Sequence, residues 1–310
     1  MSVVVVGSAN LDTVYRLEGI PAPGQTVLSA ETVSMPGGKG NNQAVAAARA
    51  GADVSFVVAL GADAAGDVIA AAAADAGIRL QARRVEAATG SAVIMVDPEG
   101  ENAIVVDSGA NRLLTDLHPR ELAVIDEAEV LLLQLETPLT AVVAAAERGR
   151  ASGAIVILNA APARSLDAGL LRLVDVLVVN EREAESIAAS IHGPFRGDVT
   201  DEDLATALSA LGLAVIVTLG ARGALVAVPG EPPAHVPGIR VHAVDTTGAG
   251  DTFCGALAAF LDGAEGSPDL GALISAAEFA TAAAALSVQR AGAVPSIPTR
   301  DEIEALRASA

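Results

Sequence analysis

Lysine is all but absent from this chain. Of its 19 basic residues, 18 are arginines and one, Lys39, is a lysine. Tryptophan is missing, tyrosine occurs once and phenylalanine five times, so aromatics make up only 2% of the residues. The core must therefore come from Ala, Val, Leu and Ile, which suits parallel strands covered by alanine-faced helices. A ligand wall of stacked rings has little to be built from. The single cysteine, Cys254, excludes an internal disulfide and fits a reducing compartment. Positive charge is scarce as well. A formal net charge of −19 argues against nucleic acid or an anionic membrane surface as partner, since either needs a basic face. It leaves room for a phosphorylated ligand wherever backbone N–H groups, a metal ion or a few cations gather. No run reaches the ~18 uninterrupted apolar residues of a membrane span. "MSVVVVGSAN" also lacks the positive start of a secretion signal. A cytoplasmic protein is expected.

What is present is 310 residues, 52% of them hydrophobic, enough for one large α/β domain with or without a small appendage. "SVVVVGSANLD" reads as a buried strand feeding a loop, with Asn10 and Asp12 at its carboxyl end, where open α/β sheets place ligands. Residues 13–36 and 90–107 are different in character. They carry alternating segments and turn residues such as "DPEGEN", and read as short antiparallel strands. The remainder alternates strand and helix. Strands are expected at 54–60, 130–136, 154–161 and 174–183, with a strand, turn and returning strand over 214–228. Helices are expected at 41–50, 66–76, 138–150, 183–190 and 201–211, and 276–286 reads as a buried helix. The loop 191–203 reads as an exposed connection. The fold class expected is α/β, a doubly wound, mostly parallel sheet flanked by helices. Residues 1–12, 37–89 and 108–310 form its main domain, and 13–36 and 90–107 a small projecting β-sheet lid.

The stretch richest in chemistry is "VDTTGAGDTFCGALAAFL", 244–261. Gly248, Ala249 and Gly250 precede a helix expected from about Thr252, so backbone N–H groups point outward unobstructed and form an anion hole. Asp251 at that helix start is placed to take a proton from an attacking hydroxyl. An isolated G-x-G-D serves equally well as a helix cap. Upstream, "MPGGKGNNQAVAAARAGA" holds Lys39 between glycines. Either chance put the last lysine there, or the position needs a compact ammonium that a planar guanidinium cannot replace.

"DTTGAGDTFCGA" and "GGKGNNQAVAAARAGADVSFVVALGADAAGD" resemble the two signature regions of the ribokinase family of carbohydrate kinases, also called the PfkB family. "GSANLD", "PAPGQTV", "GENAIVVDSGAN", "LLLQLETP", "LNAAPAR", "VVNEREAE", "VTLGARGA" and "AGAVPSIP" follow in the family's order, covering residues 6 to about 298. The resemblance implies ATP-dependent phosphorylation of a sugar, D-ribose at its 5-hydroxyl. Another pentose, deoxyribose or a nucleoside is the nearest alternative. It implies that Asn10, Asp12, Gly38, Lys39, Asn42 and Glu136 bind sugar. Asp251 would be the base, and Gly248, Ala249 and Gly250 the anion hole. Thr218, Gly220, Gly223, Asn180 and Gly250 would hold nucleotide. Asn180 and Glu183 would order a Mg2+ shell. Asp245, Thr247, Ser287, Arg290, Gly292 and Ser296 would enclose an activating K+, mostly through backbone carbonyls. It also implies a homodimer paired through the lid. Ala160 and Val179 stand where the family usually has proline, a change in loop stiffness more than in chemistry.

Asp, Asn, Glu and Lys on strand-end loops are the hydrogen-bonding set a polyol needs. A different class of function, an idle sugar-binding or regulatory protein on the same scaffold, is separated from a kinase by ATP turnover. A nicotinamide dehydrogenase is disfavoured, since no G-x-G-x-x-G follows the first strand. His118, His192, His235 and His242 have no metal-ligand spacing, and Cys254 reads as a small core residue.

Overall fold

A computed structural model describes residues 2–99, 101–193, 199–264 and 266–309. The tip of the 97–102 turn and the middle of the 191–203 loop lie outside the described residues.

Strand β1 (Val3–Val6) is four valines, each at most 1% exposed. Its alternate side chains serve two cores: Val3 and Val5 face one hydrophobic cluster, Val4 and Val6 the other. That is why the strand is uniformly apolar. It pairs in parallel with β4 (Val54–Gly61) and β8 (Val130–Leu133). Beyond β4 lies β5 (Arg79–Val85). Beyond β8 come β9 (Ile155–Asn159), β10 (Val176–Asn180) and β11 (Ala214–Thr218), all parallel. β12 (Gly223–Ala227) and β13 (Ala234–Pro237) close that edge antiparallel.

Helices α1 (Lys39–Arg49), α2 (Ala64–Asp75), α8 (Ala249–Leu261), α9 (Leu270–Ser287) and α11 (Arg300–Ser309) cover one face. α3 (Pro119–Asp126), α4 (Leu139–Ser152), α5 (Ala168–Leu171), α6 (Glu181–His192) and α7 (Asp201–Ser209) cover the other, and the short α10 (Ala293–Ser296) precedes α11. The expected doubly wound sheet is thus found. α9 is long and apolar enough to cross a bilayer, but it lies against α8 and α11 with half its length buried in the core.

A second sheet has the order β3-β2-β6-β7, built from β2 (Asn10–Arg16), β3 (Glu31–Gly37), β6 (Gly90–Val96) and β7 (Asn102–Asp107). Its outer pairs are antiparallel, as expected, but the central pair β2–β6 is parallel. β2 follows β1 and β6 follows β5, so both leave the main sheet from the carboxyl ends of parallel strands and run in one direction. Asn10 and Asp12 therefore lie within β2 of the small sheet, not at the end of β1. β5, with three arginines and one strand neighbour, escapes the sequence reading, as do β13, α3 and α11.

β5 is tied to α3 by an ion pair. Arg83 Nε donates to Glu121 Oε1 at 3.0 Å, with side chains 12% and 4% exposed. Removing one partner strands the other charge in a dry place. Arg83→Met is expected to cost about 3 kcal/mol in urea unfolding. An unchanged midpoint would mean that the pair's attraction is cancelled by its desolvation.

Candidate active site

α1 and α8 approach closely because Gly255 has no side chain. A Cβ there would lie 2.5 Å from both the Ala46 Cβ and the Gln43 carbonyl oxygen. This crossing brings the first turn of α1 against the first turn of α8. Asn42 Nδ2 donates to Asp251 Oδ2 and Gln43 Nε2 to Asp251 Oδ1, both at 2.9 Å. Asp251 is only 7% exposed. Burial pushes its carboxyl above the ordinary value, against the pull of Lys39 and of the two amides.

α8 begins at Ala249, three residues earlier than expected, so Asp251 sits inside its first turn. Gly248 holds a left-handed conformation (φ 75°), and a Cβ there would be 2.9 Å from that of Ala293. The Ala249 N–H donates to the Thr246 carbonyl at 3.2 Å, and the Thr252 N–H closes the first helical turn on Gly248 at 2.8 Å. Helix geometry leaves the N–H groups of Gly250 and Asp251 without an intrahelical acceptor. Of the expected anion hole, Ala249 is thus the member whose N–H is already engaged.

Two cavities meet at this helix start and share Thr218, Thr246, Ala249 and Gly250. The larger, about 480 Å³, is walled by largely apolar groups including Gly220, Gly223, Ile239, Phe253, Thr281 and Val288. The smaller, about 150 Å³, is polar and lined by Lys39, Asn159, Asn180, Glu183, Asp251 and Cys254. Asn180 and Glu183 form a reciprocal capping box on α6. Asn180 Oδ1 accepts from the Glu183 N–H, and Glu183 Oε2 from the Asn180 N–H, both at 2.9 Å. Burial pushes the Glu183 carboxyl up. The Cys254 thiol, 1% exposed, is pushed far above its ordinary value by burial and by Asp251, which suits a core residue.

Lys39 opens α1. Burial would lower its proton affinity, but Asp251, Glu136 and Glu183 together raise it above the lysine norm. Its side chain lines the polar cavity with Asn180 and Glu183, while its backbone N–H donates to Glu136 Oε2 at 3.0 Å. Ser8 Oγ donates to that same oxygen at 2.7 Å.

Asp12 lies across from Met35 in the small sheet. A Cβ on Gly37 would sit 1.9 Å from Asp12 Oδ2, so any other residue there would displace the Asp12 carboxylate. Burial, and then Glu136, push the Asp12 carboxyl up to about 6. Its Oδ1 is buried without a hydrogen-bond partner, and so is Asn42 Oδ1. Asn10 is oriented by Asn111, whose Oδ1 accepts from the Ala9 N–H (3.0 Å). Asn111 Nδ2 donates to the Ala9 carbonyl (3.1 Å) and to Asn10 Oδ1 (2.8 Å). With its oxygen taken in this way, the Asn10 amide has its N–H2 donors to offer.

Asp245 ties two loops together. Its Oδ1 accepts from the Thr247 N–H (2.9 Å) and its Oδ2 from the Gly292 N–H (2.8 Å). Ser287 and Ser296 donate their hydroxyls to the carbonyls of Ala284 and Ala293, and Arg290 pairs with Glu302. The side chains of those three residues are thus engaged within the protein. Arg49, at the end of α1, donates to the carbonyls of Val294 (2.9 Å) and Ile297 (2.7 Å). Among the described residues no cluster of three or more His, Cys, Asp or Glu is arranged to hold a metal.

The sequence reading did not single out Gln43, Gln134, Asn159, Asn111, Ser8 or Arg49. All six stand inside stretches that it quoted.

An apolar slot, an open helix start beside it and a buried carboxylate at that helix start are parts that a small-molecule phosphotransferase needs. Residues 1–300 match the family model described as pfkB family carbohydrate kinase, and the chain belongs to that family. It is a carbohydrate kinase. It is 40% identical over 310 residues to the ribokinase of Haemophilus influenzae, covering 97% of this chain and 96% of the relative. Among solved structures, the Thermotoga maritima ribokinase superposes with a TM-score of 0.90 at 37% identity, over 99% of each chain. The Arabidopsis thaliana ribokinase complexed with ribose and ATP gives 0.87 at 34%, over 98% of this chain and 97% of the other.

Proposed function

We propose that this chain transfers the γ-phosphoryl group of ATP to the 5-hydroxyl of D-ribose in the cytoplasm. The observation that carries the reading is its near-full-length likeness to a ribokinase complexed with ribose and ATP. The local chemistry agrees. Asp12 and Asn42 each keep a buried oxygen without a donor, and Asn10 presents an amide N–H2, a complement for adjacent sugar hydroxyls. Gly38 allows close backbone approach and Glu136 adds a second carboxylate beside Asp12.

In this reading Asp251 takes the proton of the 5-hydroxyl as its oxygen attacks the γ-phosphorus in line. The N–H groups of Gly250 and Asp251 stabilise the equatorial oxygens, with Gly248 setting the turn. The Lys39 ammonium neutralises charge between sugar and phosphates. The adenine ring lies in the slot bounded by Thr218, Gly220 and Gly223, with Asn180 at the phosphate end. Asn180 and Glu183 would order the outer shell of a Mg2+ ion, which would screen the triphosphate charge. Asp245 with the carbonyls of Thr247, Ser287, Arg290, Gly292 and Ser296 is an oxygen set that fits K+. The small sheet serves as a lid that keeps water from accepting the phosphoryl group. Its β7 leaves Ile104, Val105 and Val106 more than half exposed, and a second copy of the chain pairing there would cover them.

The test is a coupled ADP-release assay with D-ribose, 2-deoxyribose, fructose, adenosine and pseudouridine, with and without K+. Turnover confined to ribose is expected. Preference for another acceptor would keep the chemistry and move the substrate, and inactivity on all would contradict the reading.

Sugar affinity carries a pH signature. Pushed up to about 6, Asp12 is protonated below that pH and accepts hydroxyl hydrogen bonds as an anion above it. Affinity is therefore present above pH 6 and declines as pH falls, by up to about tenfold per unit. Calorimetric titration between about pH 5 and 8 reads this directly, and Asp12→Asn should flatten the profile.

A further inference from the structure

We propose that Gln43 is a positioning residue that locks Asp251 by its Oδ1 and thereby assigns proton acceptance to Oδ2. The inference rests on Asp251 being the base. Its ground is an unbroken chain of hydrogen bonds whose direction is fixed at one end. The Val178 carbonyl can only accept, so Asn159 turns Nδ2 toward it (3.3 Å) and Oδ1 toward Gln43. Gln43 must then present Nε2 to Asn159 Oδ1 (3.1 Å), and its second N–H goes to Asp251 Oδ1 (2.9 Å). Gln43 Oε1 accepts from Gln134 Nε2 at 2.7 Å. Both donors of the amide and its oxygen are in use, and the residue is 0% exposed. It has no alternative arrangement to turn to.

Asn42 is different. It donates to Asp251 Oδ2, but its own Oδ1 is buried without a partner. It can give up Oδ2 to an incoming hydroxyl and gain a hydrogen bond elsewhere. The two oxygens of one carboxylate are thus unequal, Oδ1 held by an amide whose donors and acceptor are all engaged and Oδ2 by a replaceable neighbour. Burial raises the proton affinity of Asp251 and the Gln43 N–H lowers it, so the same bond favours the ionised form of the base.

Gln43→Met keeps the length and removes the donor. Two readouts serve: kcat against pH at saturating substrates, and the 13C carboxyl titration of Asp251 in the free protein, assigned by difference from Asp251→Asn. We expect kcat to fall roughly tenfold at about pH 7, the acid limb and the carboxyl titration to move up by about one pH unit, and the sugar KM to stay within about twofold. If the methionine variant does not fold, Gln43→Glu keeps the shape. Its like charge beside Oδ1 should move the acid limb up as well. A carboxyl titration unmoved by either change would overturn the proposal. Retained turnover in Asp251→Asn is a separate result, which would remove the base assignment on which the proposal stands.

Discussion

Asp251→Asn is expected to lower turnover by about 10³-fold while leaving the fold intact. The side chains are isosteric, and the native carboxylate is buried and pushed toward neutrality, so removing its charge costs the fold little. What is lost is the only proton acceptor in the first turn of α8. The nearest other carboxylate of the polar cavity, Glu183, has one oxygen committed to the Asn180 N–H. Sugar and nucleotide KM values should change little, because the substituted amide still fills the space of the carboxylate. Initial rates together with thermal unfolding check this. Near-normal kcat in a folded variant would show that the hydroxyl loses its proton elsewhere.

Lys39→Met is expected to cost about 10²-fold in kcat/KM for the nucleotide. The ammonium lies among Asp251, Glu136 and Glu183, and no second lysine exists to replace it. Without it, three carboxylates face an incoming triphosphate in a chain of net charge −19. Lys39 also pulls down the proton affinities of Asp251 and Glu183, so its loss should move the acid limb of the rate profile to higher pH. Lys39→Arg should not restore the rate. A planar guanidinium needs more room than a half-buried position at a glycine-flanked helix start provides. An arginine variant with full activity would return the position to chance.

The architecture was legible where one physical cause acts locally. Four consecutive valines announce a strand buried on both faces, and alanine-rich periodic segments announce its covering helices. β5 was not, because "RLQARRV" is an edge strand whose arginines pair with groups on other elements, such as Glu121. The parallel pairing of β2 with β6 was hidden too, since partner choice follows from where both strands leave the main sheet. In the site, Asp251 and the glycines before it were legible because their chemistry is contained in four residues. Asn180 and Glu183 were legible as a spacing, but the capping box supplies a structural reason for that spacing which the pattern alone does not distinguish. Gln134, Asn159 and Asn111 act on residues 91, 116 and 102 positions away, and nothing local marks them. Lys39 shows both sides. Its oddity was visible, while its place facing Asn180 and Glu183 depends on the crossing of α1 and α8 at Gly255.

The most direct measurement is 31P NMR of the product formed from D-ribose and ATP by the wild-type chain. A single sugar phosphate coupled to the two C5 protons, formed about 10³-fold more slowly with Asp251→Asn, is the predicted result. A phosphate coupled to the single C1 proton, or product formed equally by the Asp251→Asn variant, would contradict the account.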